Sequence, residues 1–250
     1  MPNAKIKRLF FDLETSPNIG FFWQPGNKIS ISYENIIQER AIICACYKWE
    51  GDKEVKSLSW NKGDDKNLLI ALTKVMHEAD EIIAHNGDNF DIKWFRTRCI
   101  YHRILTFPKF TTVDTLKLSR KGFRFNSNKL DYIGKFLGVG GKIETSYNLW
   151  KDIVLLNSKT AMDKMVTYCK MDVKRLEQIY SILSPYTEHK THVGVLNGKS
   201  KCSCPKCAST NIKANGTRIT AAGLRKKELQ CNSCGGYFRV SETEYLKSIK

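Results

Sequence analysis

The chain has 250 residues, 42% apolar and 11% aromatic, the proportions of a soluble globular protein with room for one full domain and a small appendage. No run of 18 apolar residues occurs, so no membrane span is expected; the apolar run after the basic N-terminus is also too short for a signal peptide, and the expected location is the cytoplasm. The net charge of +16 points to a polyanionic partner, and residues 191–250, with 11 Lys/Arg against 3 Asp/Glu, are the most basic stretch.

Residues 6–13 read as a first strand whose apolar run, Leu9, Phe10 and Phe11, is broken by Asp12 and then Glu14. Spaced i, i+2, the two acids leave the same face of the strand. Carboxylates held that close repel unless something positive sits between them. The segment from Thr15 to about Arg40 reads as a loop carrying Pro17, Gly20, Pro25 and Gly26. Its Phe21, Phe22 and Trp23 either stack on a terminal base or fold back as core cover. Residues 41–49 and 54–60 predict a hairpin around Glu50, Gly51 and Asp52.

Residues 65–79 have helical periodicity, and 81–86 read as a short buried strand. The next helix is expected from near Asp88, its N-cap, to about Ile100. Asp91, flanked by Phe90 and with Trp94 and Phe95 at i+3 and i+4, occupies an otherwise apolar face of that helix. His85 and Asn86 at the strand end read as structural, with Asn86 also a candidate substrate contact. RKGFRFNSNK (120–129) mixes Arg120, Lys121, Arg124 and Lys129 with Phe123 and Phe125, as either a phosphate track with stacking platforms or a solvated basic loop. Residues 129–138 predict a helix closed by Gly138. Residues 159–183 form the longest helical pattern, with the stripe Ala161, Met165, Tyr168, Asp172, Leu176, Ile179, Leu183. Asp172 thus lies on the face to be buried, with Tyr168 one turn earlier. Three early strands followed by alternating helices and strands predict a mixed α/β sheet covered by helices.

A buried carboxylate needs a cation or hydrogen-bond donors. Four acids at strand ends or on buried helical faces suit hard divalent ions such as Mg²⁺ or Mn²⁺. Two such ions roughly 3.5–4 Å apart hold the attacking and leaving oxygens of a phosphodiester displacement. FDLET, HNGDNFD and YCKMD, in that order, resemble the three motifs of the DEDD superfamily of RNase H-like 3′–5′ exonucleases, over residues 6–184. DTL (114–116) and NKLDYIGKFLGVGGK (128–142) resemble its connecting segments. The resemblance implies an RNase H-like fold, with Asp12, Glu14, Asp91 and Asp172 as ligands of two Mg²⁺ or Mn²⁺ ions. Tyr168, four before Asp172, places the chain with the tyrosine subclass, in which it orients the attacking water. The segment 15–40 departs from the tight hairpin of a minimal proofreading domain. Phe22, Trp23, Asn86, Arg124 and Lys129 are the candidate substrate contacts. The overall layout is similar to phage and bacterial proteins described only as RNase H-like.

Cys44, Cys46, Cys99 and Cys169 stand among apolar neighbours and read as buried small residues. CPKC and CNSC place Cys204, Cys207, Cys231 and Cys234 as two C-x-x-C knuckles 23 residues apart, the spacing of a zinc ribbon with one structural Zn²⁺. Cys202 is spare, and His189 and His192 read as linker histidines. Lys213, Arg218, Arg225, Lys226 and Lys227 fall on the ribbon hairpin as a phosphate-binding surface; docking of a replication or repair protein is the rival. The expected division is an exonuclease domain (1–186), a linker (187–200) and a zinc ribbon (201–250). The expected function is a metal-dependent 3′–5′ exonuclease acting on a single-stranded 3′ end of nucleic acid, DNA or RNA, with single-stranded DNA favoured. A structure-specific endonuclease and a catalytically silent recruitment protein are the alternatives.

Overall fold

A five-stranded mixed sheet carries the fold. Its strands are β1 (Arg8–Thr15), then, beyond a short β2 (Ile19–Gly20) and β3 (Ile36–Gln38) that pair only with each other, β4 (Ile42–Trp49), β5 (Lys56–Ser59), β6 (Glu81–Ala84) and β7 (Thr112–Asp114), in the order β5-β4-β1-β6-β7. β1 runs antiparallel to β4 and parallel to β6, and β6 runs parallel to β7. This computed structural model describes residues 6–24, 26, 30–141 and 145–249; Pro25, Lys142 and residues 1–5 lie outside them.

Alternation along β1 sorts its side chains between two layers. Leu9, Phe11 and Leu13 pack with Leu68, Leu69, Leu72 and Met76 of α1 (Lys66–His77) and with Ile92, Phe95 and Cys99 of α2 (Asp91–Tyr101). Phe10 faces the other way, into a cluster with Ile83, Val113, Met165, Cys169, Val173 and Leu176. After β7 come α3 (Thr115–Gly122), α4 (Leu130–Phe136), α5 (Tyr147–Leu156) and α6 (Lys159–Leu183). The last four residues of that cluster belong to α6. Asp12 and Glu14, two and four residues beyond Phe10, therefore leave β1 on the α6 side.

The described elements bear out the mixed α/β sheet flanked by helices. α6 has the bounds expected from its apolar stripe, and Ser158 caps it by accepting from the Ala161 N–H. α4 ends as expected, with Gly138 at φ +71° just past the last turn. Asp88 does not cap α2, which starts three residues later; its carboxylate pairs with Lys117 at 2.7 Å, and its backbone N–H donates to Asp114.

The segment expected as a linker, 187–200, carries an element of its own. It holds α7 (Val193–Leu196), which packs on the first cysteine knuckle: the Val193 N–H donates to the Pro205 carbonyl at 2.9 Å, and Val193 shares a small cluster with Ile6 and Ala208. Beyond it a three-stranded antiparallel sheet, β8 (Ile212–Ile219), β9 (Arg225–Cys231) and β10 (Tyr237–Ser241), is followed by α8 (Glu242–Ser248). Among the described residues no helix is long and apolar enough to cross a membrane.

Candidate functional site

The acids meet at the carboxyl end of β1. Carboxylate oxygens of Asp12, Glu14 and Asp172 lie within 4.8 Å of one another, because α6 crosses the face from which the two β1 acids project. Asp91 comes from the opposite layer: it is the first residue of α2, 2% exposed, and its Oδ1 accepts from the Leu13 N–H at 3.0 Å. Burial, then the charges of Asp91, Glu14 and Asp172, push the Asp12 carboxyl well above its usual range. Burial likewise pushes Asp91 up, to about 7, against the Leu13 hydrogen bond. Tyr168 hydrogen-bonds Asp172; burial and the charges of Asp172 and Glu14 raise its hydroxyl, which stays protonated through the neutral range.

The oxygens fit a hard divalent ion. At a metal–oxygen distance of about 2.1 Å, trans ligands stand about 4.2 Å apart, inside the span found here. One cation of the protein already serves the cluster. Arg175, 3% exposed and one turn beyond Asp172 on α6, donates from Nη1 to Asp172 Oδ1 at 2.5 Å and from Nη2 to the Gly141 carbonyl. Its stem lies against Gly134, where a Cβ would stand 2.8 Å from Arg175 Cδ, so only glycine lets α4 approach this closely. Sequence reasoning passed over Arg175; its signal is a guanidinium three residues past Asp172, next to Leu176 of the buried stripe.

Neighbouring elements brace the site. The Trp150 indole of α5 donates to the Thr15 carbonyl at 3.1 Å, holding the end of β1. Asp114 accepts from the N–H groups of Asn86, Asp88, Leu116 and Lys117, so one buried acid both caps α3 and fixes the turn after β6. Asn86 sits in that turn at φ +64° with its N–H spent on Asp114, a backbone role that Asn tolerates. His85 Nε2 donates to the Asn128 carbonyl at 2.9 Å and Nδ1 accepts from Thr115, while burial lowers its pKa and keeps it neutral. A cavity of about 640 Å³ opens beside Tyr168 between α5 and α6.

Phe21, Phe22 and Trp23 are exposed at 72%, 56% and 104% and do not fold back as core cover. Arg124 and Lys129 are exposed on the loop before α4. A further acid–histidine group, Asp64, Asp65 and His102, is a structural network: Asp65 accepts from Arg98, His102 and the Ile42 N–H.

In the C-terminal sheet Cys204, Cys207, Cys231 and Cys234 place their Sγ atoms within 4.8 Å of one another, with Cys204–Cys234 and Cys207–Cys231 at 3.6 Å. Thiolates tetrahedral about a metal at about 2.3 Å stand about 3.8 Å apart, so the four sulfurs fit Zn²⁺ and a zinc ribbon. Cys202 stands outside the group, its Sγ donating to the Glu244 carbonyl at 3.7 Å. His192 caps α7 by accepting from the Val195 N–H. The basic residues expected on the ribbon hairpin lie on β8 and β9, where Arg218 pairs with Glu228 and Arg225 with Glu242.

No curated protein matches the chain. Among solved structures it is similar to the family B DNA polymerase from the hyperthermophilic archaeon Pyrobaculum calidifontis, with a TM-score of 0.56 and 16% identity over 73% of this chain. The match covers 25% of that polymerase, so the chain corresponds in fold to about a quarter of it. The RNase_H superfamily model matches residues 34–184, which include Asp91, Tyr168 and Asp172 but begin after Asp12 and Glu14; the sheet brings those two acids to the others. With more than half of its length matched, the chain belongs to the RNase_H superfamily.

Proposed function

We propose that the protein is a 3′–5′ exonuclease of the tyrosine DEDD subclass that hydrolyses single-stranded nucleic acid with two divalent ions. The observation that carries this reading is the convergence of Asp12, Glu14 and Asp172 within 4.8 Å, with Asp91 pinned to the same strand and Tyr168 bonded to Asp172. Asp12, Glu14, Asp91 and Asp172 would hold the ions, which when bound neutralise the cluster and lower the pKa of water. The Leu13 N–H fixes the Asp91 carboxylate, and Arg175 sets the orientation of Asp172. Tyr168, protonated at neutral pH, orients the attacking water through a hydrogen bond and does not act as a base. The cavity beside Tyr168 is of a size to take the terminal nucleotide.

The proposed division is an exonuclease domain at 1–186, a connector at 187–200 and a zinc ribbon at 201–250. The ribbon, held by Cys204, Cys207, Cys231 and Cys234, would add affinity for nucleic acid through Lys213, Lys226 and Lys227. The test is Mg²⁺- or Mn²⁺-dependent digestion of 5′-labelled single-stranded DNA and RNA in parallel. A ladder shortening from the 3′ end supports the reading and selects the substrate. Cutting of a closed circular strand would replace it with an endonuclease, and binding without cleavage would replace it with a recruitment protein.

A further inference from the structure

Five aromatic rings form one chain beside the site. Tyr186 meets Phe123 at 6.0 Å between centroids, Phe123 stacks on Phe125 at 5.4 Å, Phe125 meets Phe136 at 5.3 Å, and Phe136 meets Tyr132 at 6.3 Å. Two of the inner rings have a structural duty: Phe123 and Phe125 cover a small core of Ile133, Ile179 and Leu183. Tyr186 and Phe136 do not, being 76% and 64% exposed. Large exposed rings joined to a continuous stack are costly to leave in water unless something covers them.

Charge says what covers them. Arg124 lies between Phe123 and Phe125, with Arg120 before and Lys129 after, all three exposed and without an ion pair among the described residues. Cations interleaved with aromatic faces fit a chain of phosphates carrying flat bases. Ring spacings of 5.3–6.3 Å leave no room for a base between rings, since two stacking gaps of about 3.4 Å are needed. Bases would stack on the outer faces of Tyr186 and Phe136. The loop is tied to the end of β6, which pairs with the strand of Asp12 and Glu14, because His85 holds the Asn128 carbonyl. Ile179 and Leu183, under the rings, stand seven and eleven residues beyond Asp172, about 10–17 Å along α6 at 1.5 Å per residue.

We infer that this ladder binds the unpaired strand two or more nucleotides away from the end held at the acidic cluster. The inference rests on the nuclease reading for its direction but has its own test. In Mg²⁺-free buffer, fluorescence anisotropy measures binding of labelled dT8 and rU8 to the full chain and to Phe136→Ala/Tyr186→Ala, whose rings lie outside the core. Base–aromatic stacking predicts a Kd weakened about 25-fold or more for the pair; an unchanged Kd with both oligonucleotides overturns the ladder. Ultraviolet crosslinking of a 5-iodouracil strand should mark peptides containing Phe136 or Tyr186, and crosslinks confined to residues 201–241 would equally overturn it. The nuclease reading is tested separately by Mn²⁺-dependent hydrolysis of the p-nitrophenyl ester of thymidine 5′-monophosphate, too short to reach the rings. Failure of that reaction with normal dT8 binding would remove the enzyme and leave the strand-binding surface standing.

Discussion

Asp91→Asn should make the metal-free protein more stable while destroying its activity. Asp91 is 2% exposed, and burial raises its carboxyl from the ordinary 3.8 to about 7. At about 1.4 kcal/mol per pH unit, ionising it in the folded state costs about 4 kcal/mol relative to the unfolded chain. Because the folded carboxyl is the weaker acid, the stability it lends is complete below about pH 4, drains away as pH rises to about 7, and stays lost above. Asparagine keeps an Oδ1 to accept the Leu13 N–H, now at 3.0 Å, and removes the charge. For a chain of this length 4 kcal/mol corresponds to about 8–16 °C in Tm. Differential scanning fluorimetry at pH 5 and pH 8, without Mg²⁺ and without chelators that strip zinc, measures it. The variant should melt well above the wild type at pH 8 and by less than half that margin at pH 5, and added Mn²⁺ should raise the wild type more than the variant. A variant that melts at or below the wild type at pH 8 would show that the Asp91 charge is not a burden, and the argument for a cation site would go with it.

Four further outcomes follow from the geometry. Asp12→Ala should reduce hydrolysis to background while anisotropy finds nucleic-acid binding within about twofold of the wild type; retained turnover refutes the site. Tyr168→Phe removes one hydrogen bond to a charged site, about 1.5–3 kcal/mol, so kcat should fall about 10- to 100-fold. The ascending limb of the pH profile should be unchanged, because the hydroxyl is protonated throughout; loss of that limb in the variant would make Tyr168 a base. Gly134→Ala puts a Cβ 2.6 Å from the Gly140 carbonyl and 2.8 Å from Arg175 Cδ, and should cost about 1–3 kcal/mol in thermal unfolding. Mercurial titration should release one Zn²⁺ per chain, and none from Cys204→Ser, with residues 201–241 becoming sensitive to trypsin; protection without zinc would refute a metal-held ribbon.

Much of the site was legible because buried charge is conspicuous. Asp12 and Glu14 break an apolar strand, Asp172 interrupts a stripe of six apolar and aromatic residues, and the strand period and helix period each say which face the acid is on. The cysteines announced themselves by spacing alone. What was missed was short or multiply used. β7 is three residues long, too few for a period. α3 begins from Asp114, a cap signal obscured because the same carboxylate also serves Asn86 and Asp88. Asp88 looked like a helix cap, but two tight turns intervene before α2 starts at Asp91. Arg175 was hidden because an arginine on a mostly polar helix reads as solvated until its burial is known. α5 was legible and unread: Leu149, Trp150, Ile153 and Val154 recur at one-turn spacing.

The placement of charge bears on why a protein of net charge +16 would hide its acids in one spot. Four carboxylates repel a phosphate, so a strand steered in by the basic surface cannot reach Tyr168 until cations fill the cluster. Arg175 answers this only in part: it offsets one carboxylate, and its Nη groups are committed to Asp172 and the Gly141 carbonyl. Burial raises Asp12 and Asp91, with neighbouring carboxylates adding to it, and this cost can be relieved either by protons at low pH or by divalent ions at neutral pH. On the nuclease reading these two reliefs differ in consequence. Protons stabilise the fold and silence the site, whereas ions stabilise it and make it attractive to the strand. Activity and thermal stability should therefore rise together with added Mn²⁺ but move in opposite directions as pH falls below about 7.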